Sequence, residues 1–159
     1  MDSKISFRFA KKEDTGLILD FIKKLAEYEK LLDEVVATEE KLEEWIFEKE
    51  KAEVIFPLYD GKEVGFALFF HNFSTFLGRS GIYLEDLFVL EEYRKKGLGK
   101  ATLKQLAKIT VERGCGRLEW SCLDWNKPSI DFYLSLKAVP MEGWSVYRLT
   151  GESLKSLAK

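Results

Sequence analysis

Apolar and polar residues alternate from Ser3 to Ala10, with Ile5, Phe7 and Phe9 on one face, and this period of two predicts a first strand. The period then changes. From Thr15 to about Lys30, Leu17, Ile18, Phe21, Ile22, Leu25 and Tyr28 recur at helical spacing, with Asp14 placed to cap the first turn. Thr38-Glu39-Glu40-Lys41 supplies a hydroxyl cap and early acids ahead of Leu42, Trp45 and Ile46, which predicts a second helix to about Glu48. Ala52 to Tyr59 and Glu63 to Phe70 read as two strands joined through Asp60-Gly61, a two-residue hairpin signal. A loop with Gly78 and Gly81 leads to a fourth strand, Gly81 to Val89, and then to a long helix from Gly97 or Leu98 to Arg113. Arg117 to Leu123 reads as a fifth strand, Lys127 to Leu136 as a short helix opened by Asn126, and Trp144 to Thr150 as a terminal strand.

The predicted order is strand, two helices, three antiparallel strands, helix, strand, helix, strand. The long helix is a crossover, so the fourth and fifth strands run parallel in an α/β fold whose mixed sheet is mostly antiparallel and flanked by helices. The length of 159 residues suits one domain over positions 1–159. A net charge of -2 argues against nucleic acid as a partner, because phosphate backbones need a basic face. A small cationic partner fits that charge better.

Met1 to Arg8 lacks the apolar core of a secretory signal, and no later stretch is long enough to cross a bilayer, so a cytoplasmic protein with no membrane partner is expected. Cys115 and Cys122 have no zinc-pair spacing, and His71 is the single imidazole, read as an ordinary strand-end residue; no metal is expected.

The sharpest chemical signal is Arg94-Lys95-Lys96-Gly97-Leu98-Gly99 followed by Lys100, a basic glycine turn between a strand and a helix N-terminus. Such a turn offers unpaired N–H groups and positive charge to a phosphate. A P-loop would need glycine at position 94 and a hydroxyl after Lys100, where the chain has Arg94 and Ala101; a dinucleotide turn would need a third glycine where Thr102 stands. Neither nucleotide reading fits.

Ahead of the turn stands Tyr83-Leu84-Glu85-Asp86-Leu87-Phe88-Val89, and beyond it Trp125-Asn126, Pro128-Ser129-Ile130, Phe132-Tyr133 and Glu142-Gly143-Trp144. Together with Leu25-Ala26, Tyr28-Glu29 and Thr38-Glu39 upstream, these segments resemble the GNAT N-acetyltransferases, in particular the spermidine/spermine (diamine) and thialysine N-acetyltransferase branch. The likeness covers nearly the whole chain. It implies the acyl-CoA N-acyltransferase fold with the fourth and fifth strands splayed, acetyl-CoA as acetyl donor, and a homodimer.

The resemblance assigns roles to residues. Leu87, Phe88 and Val89 would present backbone N–H groups to the donor at the splay; Arg94, Lys95, Lys96, Gly97, Leu98, Gly99 and Lys100 would hold its pyrophosphate; Asn126, Ser129 and Tyr133 would meet its pantetheine arm. Tyr133 would protonate the leaving thiolate, although Ile130, Tyr133 and Leu134 share a helix face and fit a packing role by spacing alone. Asn126 is equally a helix cap. Glu85 and Asp86 are adjacent and in a regular strand would point to opposite faces, so either a bulge brings both toward one cleft or a cation satisfies the inward one. Their functional reading is recognition of a cationic amine, with Glu85 helping to remove the ammonium proton through water; a capped strand end or a salt bridge to Arg or Lys is the alternative. Tyr28 and Glu29 join them as substrate residues; Trp144 fits packing at the substrate or dimer side and equally an ordinary buried place in the terminal strand.

Ser74 and Phe76 stand where the polyamine enzymes carry an acid and a tryptophan. That departure leaves diamines, polyamines and lysine-like or thialysine-like amines all open as acceptors. Two further readings remain: acetylation of protein lysines or N-terminal amines, and a CoA-binding regulatory module without turnover.

Overall fold

Six strands form the sheet of the first of two compact units, which ends at Ser121. In the computed structural model, which describes residues 3–159, the unit contains β1 (Ile5–Phe9), α1 (Thr15–Tyr28), α2 (Glu39–Leu42), β2 (Glu53–Tyr59), β3 (Lys62–Glu63), β4 (Gly65–Ser74), β5 (Arg79–Val89), α3 (Leu98–Glu112) and β6 (Leu118–Trp120). The strand order is β1-β2-β4-β5-β6, with β3 paired to β2. Among the described residues every strand pairing is antiparallel except β5 with β6, the parallel pair predicted as the fourth and fifth strands.

Apolar periodicity explains the layers. Ile18, Phe21 and Leu25 of α1 pack on Val54, Phe56, Phe66 and Phe88 of the sheet, with the rings of Phe21 and Phe66 stacked at 5.9 Å. Leu98, at the start of α3, packs with Val64 and Val89, whose side chain points away from the Phe88 face. The first helix thus covers one face of β5 and the long helix begins on the other.

Several boundaries moved for physical reasons. Asp60 and Gly61 both take left-handed φ values of 51° and 79°, as a two-residue hairpin requires, but the returning strand breaks at Val64 into β3 and β4. Asp14 does not cap α1 with its side chain; Arg8 engages it bidentately at 2.8 and 2.9 Å, which holds the Asp14 carboxyl below its ordinary pKa. Thr38 does cap, accepting the Lys41 N–H, yet the helix it opens relaxes after Leu42 into a π-helical turn over Glu43–Glu48. That wider turn buries Ile46 and leaves Trp45 outside, beneath the Lys49 ammonium at 4.0 Å. His71 lies on β4 beside Arg113, which pairs with Glu53.

The second unit, Cys122–Lys159, holds α4 (Lys127–Ser135) and α5 (Gly151–Leu157). The terminal strand predicted over Trp144 to Thr150 is absent: the segment forms no strand, and Trp144, Val146 and Tyr147 stand more than 80% exposed. Strand-forming residue types do not by themselves supply a pairing partner. Among the described residues, no helix is long and apolar enough to cross a membrane.

Candidate active site

The β4–β5 ladder slips by one residue, with Leu68 opposite Asp86 and Phe69 opposite Leu84, so Glu85 is the extra residue of a β-bulge. Without the slip, Asp86 would share the face of Leu84 and Ile82, both fully packed in the core. With it, Asp86 stands across from Leu68 and two residues before Phe88, on the face that α1 covers, while Glu85 is exposed at the bulge. Of the two alternatives that the adjacent acids posed, the chain takes the bulge.

Glu29 comes to the same neighbourhood from α1. The helix ends sharply because Lys30 adopts a left-handed φ of 62° and Leu31 donates its N–H back to the Ala26 carbonyl, a terminating turn usually made with glycine. Asp86 is pushed up to about 7, first by burial, then by the charge of Glu85 and then by that of Glu29; burial also raises Glu29. Among the described residues none of Glu29, Glu85 and Asp86 has an ion pair or hydrogen bond through its side chain. Three carboxylates converge and no protein cation meets them.

Beyond Leu84 the β5–β6 pairing stops, since Ile82, Tyr83 and Leu84 are the residues of β5 matched to β6. Leu87, Phe88 and Val89 continue β5 past that point into the turn. Lys95 and Gly97 take left-handed φ values of 69° and 83°, and Gly97 is the N-cap of α3 with no side chain capping it. Ala101 donates its N–H to the Gly97 carbonyl, so the first intrahelical bond leaves the amides of Leu98, Gly99 and Lys100 as helix-start donors. A Cβ added at Gly97 or Gly99 would meet no protein atom within 4 Å. At Gly99 neither packing nor backbone strain calls for glycine, so the open space suits a group that is not protein.

Lys95, Lys96 and Lys100 are exposed around this turn and make no ion pair among the described residues. Arg94 points elsewhere. Its Nε–H donates to the Val89 carbonyl at 2.9 Å and its guanidinium lies over the rings of Tyr28 and Phe88, at 4.9 and 5.4 Å.

In the second unit, Asn126 opens α4 and its side chain accepts the Ser129 N–H at 3.3 Å, while Pro128 occupies the first turn where its missing donor is no loss. Tyr133 sits one turn further on, its ring 5.7 Å from that of Phe132. The cap, the serine amide and the tyrosine therefore share one short helix.

A sequence profile of the acetyltransferase (GNAT) family matches residues 20–137, taking in most of the first unit and α4 of the second. The chain is a GNAT acetyltransferase. It is 38% identical to the thialysine N-epsilon-acetyltransferase of Bos taurus, over 97% of each chain. It is also 44% identical to an L-ornithine N5-acetyltransferase of Arabidopsis thaliana, over 64% of this chain and 45% of that one. Among solved structures, an integron cassette protein from the mobile metagenome of V. cholerae superposes with a TM-score of 0.81 at 29% identity, covering 99% of both chains.

GNAT acetyltransferases draw their acetyl group from acetyl-CoA, and the glycine turn is open and flanked by exposed lysines, the features that suit a phosphate. We expect Gly99→Val to keep the fold, because its Cβ meets open space, and to weaken acetyl-CoA binding at least tenfold by calorimetry. Unchanged affinity would remove the turn from donor binding.

Two residues of this acetyltransferase escaped the sequence. Lys30 and Lys95 take left-handed backbone that lysine rarely adopts, and neither carries the glycine or asparagine signal that would announce it. Ser74 acquires a clear local role instead: its Oγ accepts the Leu77 N–H at 3.1 Å within the β4–β5 turn, and Phe76 is fully exposed at the tip.

Proposed function

We propose that the protein moves an acetyl group from acetyl-CoA directly to a primary amine of a small cationic molecule, a diamine, polyamine or lysine-like or thialysine-like amine. The observation that carries this reading is the set of three carboxylates, Glu85 and Asp86 at the bulge and Glu29 at the end of α1, left without a protein cation. An ammonium group supplies the missing charge. The relatives support it, since the names of those described above specify thialysine and ornithine amines.

When bound, acetyl-CoA supplies an acyl carbon activated as a thioester. Lys95, Lys96, Lys100 and the amides of Leu98 and Gly99 hold the pyrophosphate, and the N–H groups along Leu87 to Val89 hold the pantetheine and the acyl oxygen in the manner of an added strand. Tyr28, Glu29 and Asp86 hold the amine, and Glu85, exposed on the bulge, takes the ammonium proton through water so that a lone pair is free to attack. Asn126 and Ser129 fix the start of α4, and the Tyr133 hydroxyl donates its proton to the departing sulfur.

The test is thiol release from acetyl-CoA across a panel of diamines, polyamines, lysine, ornithine and thialysine, with a lysine peptide as control. Turnover of free amines in preference to the peptide supports the reading; peptide turnover alone, or tight CoA binding with no turnover, overturns it. We further propose a homodimer, supported by the exposed apolar run Val139, Met141, Trp144, Val146, Tyr147 and Leu149. Gel filtration should show twice the chain mass, and a monomer at micromolar concentration would count against it.

A further inference from the structure

Arg94 stands in the phosphate-binding turn by sequence, yet its side chain is spent on protein. The Nε–H is given to the Val89 carbonyl, and the guanidinium plane is shared between the ring of Tyr28, at the end of α1, and the ring of Phe88, on β5. These contacts join two segments that sequence keeps sixty residues apart, on the order of the whole α1-to-β5 separation. Among the described residues Arg94 makes no ion pair. A lysine would not reproduce this arrangement, because an ammonium lacks both the planar surface that stacks and the Nε–H that reaches the carbonyl.

We infer that Arg94 is a positioning residue for the amine site: stacked between Tyr28 and Phe88 and bonded to Val89, it sets the distance between the amine-holding end of α1 and the donor-holding end of β5. This inference rests on the acetyltransferase reading above and deepens it. Because Glu29 follows Tyr28 directly, a shift of the Tyr28 ring moves Glu29 relative to Asp86 and opens the carboxylate set. Because Val89 and Phe88 end β5, the same shift reaches the edge that carries the acyl oxygen.

The experiment compares Arg94→Lys and Arg94→Gln with wild type in three measurements. These are amine KM and kcat with acetyl-CoA, the same constants with S-acetylpantetheine, which lacks the pyrophosphate, and CoA affinity by calorimetry. A positioning role predicts that amine KM rises about tenfold in both variants, by the same factor with either donor, while CoA affinity changes less than twofold. A loss seen with acetyl-CoA and abolished with S-acetylpantetheine would make Arg94 a pyrophosphate ligand and overturn the inference. A fall in kcat with every KM unchanged would mean a smaller folded fraction, and that too would overturn it.

Tyr28→Leu removes the ring on which the guanidinium rests. Its effect on amine KM and that of Arg94→Lys should combine to less than their product, the mark of side chains acting through one contact. Full multiplicativity would overturn the coupling. Wild-type protein that acetylates no amine in the panel would instead defeat the underlying reading, and the two failures are distinguished before any variant is made.

Discussion

Asp86→Asn should raise the amine KM by on the order of 10- to 100-fold at pH 8, the effect of losing one charge-assisted hydrogen bond in a half-buried site. The variant should also flatten the pH dependence. Asp86 in the free protein is held up to about 7 by burial and by the charges of Glu85 and Glu29, so at pH 6 much of it is protonated and offers no charge to an ammonium. Wild-type kcat/KM for the amine should therefore climb as pH rises through 7, and that limb should be missing from Asp86→Asn. Equal climbs in both proteins would place the titration elsewhere.

Stability moves in the opposite direction. The folded pKa lies above the unfolded value of 3.8, so this carboxyl's contribution is fully present below pH 4 and is lost as pH rises through 7. The span corresponds to on the order of 4 kcal/mol. Free wild-type protein should melt at a lower temperature at pH 8 than at pH 5, and Asp86→Asn should lose most of that difference. Adding a substrate amine should restore part of the wild-type loss at pH 8, because the cation brings the carboxylate back toward its ordinary range.

Tyr133→Phe should lower kcat by roughly 100-fold, the scale of one positioned general acid. It keeps the ring that packs beside Phe132 and removes the hydroxyl alone, so calorimetric CoA affinity should stay close to wild type. A full-rate variant would return Tyr133 to the packing role that its helix spacing also allows.

The local conformations of the candidate site could be read from residue order because its parts are local. The glycine turn, the Asn126 cap and the helix carrying Tyr133 each occupy a few consecutive residues whose types announce their conformation. Glu85 next to Asp86 posed a question that alternation could frame and only strand pairing could answer, since a bulge belongs to two strands at once. The strand predicted over Trp144 to Thr150 fails for the same reason: strand-forming residues are present, but nothing within one strand specifies a neighbour. The π-helical turn was invisible for a related reason, because Trp45 and Ile46 satisfy helical spacing equally well until the width of the turn decides which is buried.

The slip at Glu85 has a price in regularity that bears on how such an enzyme changes over generations. A chain lacking that one position would restore an unbroken ladder between β4 and β5, and it would do so without disturbing the hairpin at Ser74 or the helix after Gly97. Mutants selected for thermal resilience alone would therefore drift toward the shorter strand, and the deletion would be a sturdier fold without the exposed carboxylate of Glu85. Persistence of the irregular strand in descendants under selection for turnover, and its loss when turnover is relaxed, is the pattern that this local trade would leave.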